Sequence, residues 1–73
     1  MLLTALAPGS TTRITGVRAG ADASLRLREM GMRAGTTLRL DMVAAGGARI
    51  VAVGGARLAI DHSTAALIDV AMP

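Results

Sequence analysis

Between Arg28 and Leu40 the chain changes its hydrophobic period with almost no intervening loop. Ala23, Leu27 and Met30 recur at i, i+4 and i+7, the spacing that lines up apolar side chains on one face of an α-helix. Leu38, Leu40 and Met42 then alternate with Thr37, Arg39 and Asp41, the period of a strand with one wet face. A helix and a strand must therefore meet at a tight corner, and Gly31 and Gly35 bracket it. Gly31 suits the left-handed residue that closes many helices, a conformation that costs other L-residues about 1–2 kcal/mol. Met32 is then placed to fold back over the helix end, and Ala34-Gly35 makes the second turn.

The flanking segments are short. Leu6-Ala7-Pro8-Gly9 reads as a turn, with proline presetting one φ and glycine free to take a positive one. Thr11 to Val17 reads as a strand with Gly16 as a bulge site, and Arg18 to Ala21 as a loop. The helix is expected from an N-cap at Asp22, or alternatively Ser24, to about Met30, burying the face of Ala23, Leu27 and Met30. Strands follow at Thr36–Val43, Arg49–Val53 and Arg57–Ile60, hinged at Gly46-Gly47 and Gly54-Gly55. Asp61 to Thr64 is a polar corner leading a helical turn through Ala66, and Leu67 to Ala71 a last strand. The class implied is mainly β: a small barrel or curled sheet of about five short antiparallel strands with one α-helix, in a single domain over residues 1–73.

Composition limits what such a domain does. At 73 residues the core is small, and with no Phe, Trp or Tyr it must be assembled from Leu, Ile, Val, Met and Ala. The lack of aromatics also removes the stacking platforms on which single-stranded nucleic acids are bound. The absence of cysteine excludes disulfides and thiolate metal sites. A sequence pI near 11.5 overstates the basicity, because without Lys, Tyr or Cys little titrates between the terminal amine and arginine. The formal net charge is only +3, and all of it lies in residues 1–33, where five arginines face two acids. The opening apolar run lacks a basic flank and is cut by Pro8-Gly9, which argues against a secretory signal. No stretch approaches the roughly 20 apolar residues of a membrane span, and a cytoplasmic protein is expected.

The residues also resemble a family. Leu6 with Pro8-Gly9, Arg26-Leu27, Glu29-Met30-Gly31-Met32, Ala34-Gly35-Thr36, Gly54-Gly55, Leu58-Ala59-Ile60, Ala65, Ile68 and Val70 are similar to the pattern of FeoA proteins, over nearly the whole chain. The resemblance implies an SH3-like barrel, shared with the C-terminal domain of DtxR-type repressors, and a role beside the ferrous-iron transporter FeoB. Two departures stand out. Ala34 occupies a position where the family usually has proline, and Ala44 to Ala48 is a bare hairpin where the family often carries a longer loop.

Chemistry-bearing residues are few. His62, the only histidine, lies beside Asp61, but iron or zinc needs three or four ligands and the scattered aspartates do not supply them in sequence. His62 is therefore expected to be a solvated turn residue, with no metal and no cofactor bound. Asp61-His62-Ser63 holds the residue types of a hydrolase triad, yet consecutive side chains diverge, so no catalysis is expected. The helix carries the remaining anomaly: at 100° per residue, Leu25 falls about 160° from the apolar face. It is read either as packing laterally against a neighbouring loop or, more sharply, as an apolar anchor for a protein partner, rimmed by Arg18, Arg28 and Arg33. The partner implied is the cytosolic part of a FeoB-like transporter, which would recruit the domain to the inner membrane face. Weak self-association, a DtxR-type regulator and a small basic nucleic-acid-binding barrel remain the alternatives.

Overall fold

In the computed structural model, which describes residues 1–73, five strands form one antiparallel sheet in the order β4-β3-β2-β1-β5. They are β1 Thr11–Val17, β2 Thr37–Val43, β3 Arg49–Val53, β4 Ala56–Ile60 and β5 Ile68–Val70. Helix α1, Ala21–Glu29, joins β1 to β2, and the single turn α2, His62–Ala65, joins β4 to β5. The mainly β architecture is the one expected. The sheet nevertheless stays open: β4 is an unpaired edge, and the outer edge of β5 is met only by the opening residues through the Leu2↔Asp69 bridge.

The helix-to-strand corner is closed by a complete Schellman motif. Gly31 has φ +92°. Its N–H donates to Arg28 O at 3.0 Å, and the Met32 N–H donates to Leu27 O at 2.8 Å. These are the two bonds that satisfy the last carbonyls of a helix. The apolar contact that accompanies the motif joins Met32 and Leu27, both in the core. The second turn comes at once: Thr36 N–H donates to Arg33 O at 3.1 Å around Gly35, and Gly35 N–H donates to Ile14 O at 2.8 Å. The corner is thus sewn to β1.

Thirteen residues make the core, all aliphatic or methionine, as the composition requires. Leu3, Ile14, Met32, Leu38, Leu40 and Ile68 are its largest fully buried side chains. Leu3 and Leu6 come from the apolar opening run, which turns through Leu3–Ala5 and packs under the sheet, Val70 N–H donating to Met1 O at 2.7 Å.

Three local expectations are corrected. Gly20, not Asp22 or Ser24, is the N-cap of α1. Its carbonyl accepts from Ser24 N–H at 2.9 Å, while the Ser24 hydroxyl donates back to Ala19 O at 2.9 Å. Asp22 lies inside the first turn, where its carboxylate still faces the positive end of the helix dipole. Of the face Ala23, Leu27 and Met30, only Leu27 is buried, because the elements opposite leave a groove over the other two. Met42 is 51% exposed although it alternates with Leu38 and Leu40. The pairing shifts between Leu40↔Val51 and Met42↔Ile50, so Asp41 is an extra residue that re-aims the side chains after it.

Gly31→Ala should lower stability by about 1–2 kcal/mol, because Ala is strained at a positive φ although its Cβ would meet Val53 only at ordinary contact distance, 3.5 Å. Met32→Ala should cost about 2–5 kcal/mol as a core truncation. Urea unfolding measures both, and a near-neutral Gly31→Ala would contradict the assigned corner.

Candidate docking surface

Several charged groups on the surface are partnered within the fold. Arg18 chelates Asp69, with Nε at 2.6 Å and Nη2 at 3.0 Å from its oxygens. That hydrogen bonding, then the aspartate's charge, raises the guanidinium pKa against a small desolvation. Asp41 lies between Arg39, at 2.7 Å, and Arg57, at 2.8 Å. Hydrogen bonds from Arg39 and then Arg57 hold its carboxyl below the usual range. Asp61 caps α2 by accepting from Thr64 N–H at 3.3 Å, and it also accepts from the Ser63 hydroxyl at 3.0 Å. Thr64 and then Ser63 lower its pKa.

The histidine expected to be a solvated turn residue is exposed at the start of α2 and also makes a structural contact. Arg49 Nη1 lies 2.7 Å from His62 Nδ1. Arginine only donates, so Nδ1 accepts and the ring hydrogen is assigned to Nε2. The same guanidinium donates to Gly47 O at 2.6 Å and Thr4 O at 3.1 Å, tying α2, the β2–β3 hairpin and the opening turn together. The Ser63 hydroxyl points at Asp61 and the His62 ring at Arg49, so the three residues form no relay. No three His, Asp or Glu side chains converge.

The charges left without an ion-pair partner are concentrated on α1 and its corner. Leu25 is 48% exposed on the outer side of the helix. Arg28 and Arg33 are both exposed, neither forms an ion pair, and together they border a depression floored by Val17 and Met32, with Ser24 at its wall. Arg18 is set apart from this pair by its engagement with Asp69. Of the four residues read from the sequence as a partner surface, the fold thus brings together Arg28 and Arg33 beside an exposed Leu25.

A second feature was missed by sequence reasoning. Ala23, Leu27 and Met30 line an apolar groove of about 230 Å³ against Ala59, Ile60 and Leu67. The signal was present as a helix face more apolar than one buried residue requires. What was not legible was that no element of the chain covers it.

The FeoA domain family model matches residues 1–72. Among solved structures, an iron uptake regulatory protein, FeoA, superimposes with a TM-score of 0.88 at 28% identity, over 96% of this chain and 93% of its own. FeoA of Stenotrophomonas maltophilia in complex with zinc, described as a prokaryotic SH3 domain protein and a candidate ferrous iron transport activating factor, matches with a TM-score of 0.82 at 29% identity. The match covers 97% of this chain and 89% of that one. IdeR of T. acidophilum matches over 100% of this chain but 34% of its own length, with a TM-score of 0.88 at 26% identity. No curated protein sequence matches the chain. No helix is long and apolar enough to cross a membrane.

With their pKa values depressed, ionised Asp41 and Asp61 contribute stability that is fully present above the unfolded carboxylate value of about 4 and lost as pH falls through the lower folded values. Asp61→Asn keeps a capping side chain but removes one titration, so thermal melts between about pH 5 and 2 should show a shallower loss than wild type; an unchanged slope would contradict the assigned cap. Anaerobic calorimetry with ferrous iron should show no stoichiometric micromolar site, and a site abolished by His62→Ala would overturn the ligand arithmetic.

Proposed function

The chain belongs to the FeoA family, and from that premise we propose that it is a non-enzymatic accessory module of ferrous iron uptake that docks on the cytosolic part of a FeoB-type transporter. The observation that carries this reading is a family match across residues 1–72 combined with a surface whose free groups suit recognition rather than catalysis. The fold's histidine, its hydroxyl neighbour and its capping aspartate are spent on structure. The groups left uncommitted on one helix and its corner include an exposed leucine and the unpaired Arg28 and Arg33. The module acts as one domain, residues 1–73, in the cytoplasm, brought to the membrane by its partner.

The two kinds of group do different work. Arg28 and Arg33 steer the domain toward an acidic patch and set the association rate. Leu25 supplies the desolvated anchor that slows dissociation. The likeness to one third of IdeR supports a second reading, a domain working with a DtxR-type regulator. An adjacent gene for a large transporter with a G domain favours the first reading, and an adjacent repressor gene the second.

Leu25→Ser should weaken binding to the transporter's cytosolic domain by about tenfold, ~1.4 kcal/mol, at every ionic strength. Its melting temperature should stay within a degree or so of wild type, as surface substitutions usually do. Arg28→Glu should weaken binding at low salt and recover toward wild type near 1 M, where the screening length is about 3 Å. Surface plasmon resonance over a salt series reads both. If both variants bind like wild type, the partner does not dock on this face.

A further inference from the structure

The groove beside α1 has three properties that belong together. Its floor is Leu27 and Ile60, both essentially buried, and its rims are the half-exposed Met30 and Leu67. One wall is the end of β4, an edge strand. The backbone of Ala56–Ile60 pairs with β3 alone and makes no other hydrogen bond, so one row of its N–H and C=O groups is free. Natural sheets usually cover or charge such an edge. Here the strand's one charge, Arg57, is engaged by Asp41, and at the groove the edge carries only Ala59 and Ile60. The third property is charge. Arg26 and Asp61 both border the groove. Asp61 is already satisfied by Thr64 and Ser63, whereas Arg26 has no ion-pair or hydrogen-bond partner. The uncommitted charge is positive.

We propose that this groove receives an extended segment of the protein partner, which adds a strand to the free edge of β4, seats an apolar side chain over Leu27 and Ile60, and presents a carboxylate to Arg26. The inference rests on the docking reading and adds a second contact to it, on the opposite side of α1 from Leu25. An extended occupant is required by the edge. A helix laid in the groove would leave the β4 groups unpaired, and burying them without partners is costly. A volume of about 230 Å³ accepts one or two large aliphatic side chains and no more. The acid is required by Arg26, which an entirely apolar segment would desolvate without compensation. Helix α1 is then clamped between two contacts of different character. Leu25 and its arginines meet a surface, and the groove on the other side holds a strand.

The test uses the intact protein and, as probe, the cytosolic domain of its FeoB-type transporter. Ala23→Glu fills an exposed position at the groove and offers Arg26 an internal acid three residues along the helix. Arg26→Glu reverses the free charge. Each should raise Kd at least tenfold while the melting temperature and the amide spectrum of the free protein stay close to wild type. In hydrogen exchange, amides within Ala56–Ile60 that are open in the free protein should become protected in the complex. If the two groove variants bind like wild type while Leu25→Ser and Arg28→Glu weaken binding, the groove is idle and the docking reading alone survives. If the wild type does not bind the probe, both fall. Binding that is weakened without any new β4 protection overturns the added strand. Self-association of the free protein that Ala23→Glu abolishes would assign the groove to a second copy and likewise overturn the proposal.

Discussion

The left-handed turn at Gly31 is the constraint on which the rest of the molecule depends. In a domain with no aromatic side chain, the core has few large residues to spare, and Met32 and Leu27 are two of them. Both are positioned by the same pair of backbone bonds, from Gly31 N–H to Arg28 O and from Met32 N–H to Leu27 O. Gly31 satisfies helix carbonyls that a chain leaving in another direction would strand, and the same turn aims Met32 inward. The next turn, at Gly35, bonds to Ile14 and registers the corner on β1. Local geometry, core packing and sheet attachment therefore share a handful of backbone groups.

That arrangement also explains why α1 is so little buried. Fixed at its C-terminal end by the corner, the helix contributes Leu27 to the core and leaves Leu25 outside on one side and Ala23 and Met30 outside on the other. Of the four arginines without side-chain partners, Arg26, Arg28 and Arg33 belong to the same helix and its corner and Arg13 to β1, whereas Arg18, Arg39, Arg49 and Arg57 are bonded within the fold. A helix held at one end, apolar on two sides and carrying free positive charge suits recognition of a partner.

How much of this could be read in advance depends on the range of each interaction. The corner, the Pro8-Gly9 and Gly54-Gly55 turns and the helical turn that follows Asp61 depend on residues a few positions apart, and all were legible. The helix cap was misplaced by two residues because Gly20 works through its carbonyl alone and carries no side-chain signal. Met42 was misread because a bulge is a property of the pairing with β3, which the alternation within one strand cannot reveal. The salt bridge from Arg18 to Asp69 and the contact of Arg49 with His62 join residues 51 and 13 positions apart, beyond any local pattern. The same holds for Leu3 and Leu6, whose burial depends on where the sheet curls.

The dependence of the fold on its corner is open to one direct measurement, native-state hydrogen exchange at the Met32 amide. If the Schellman closure is part of the cooperative core, that amide opens only with the whole molecule and exchanges as slowly as those of Ile14 and Leu40, which donate to Thr36 O and Ser10 O within the sheet. Exchange at Met32 that is fast, like a fraying helix end, while Ile14 and Leu40 remain protected, would show that the helix is appended to a sheet that stands without it.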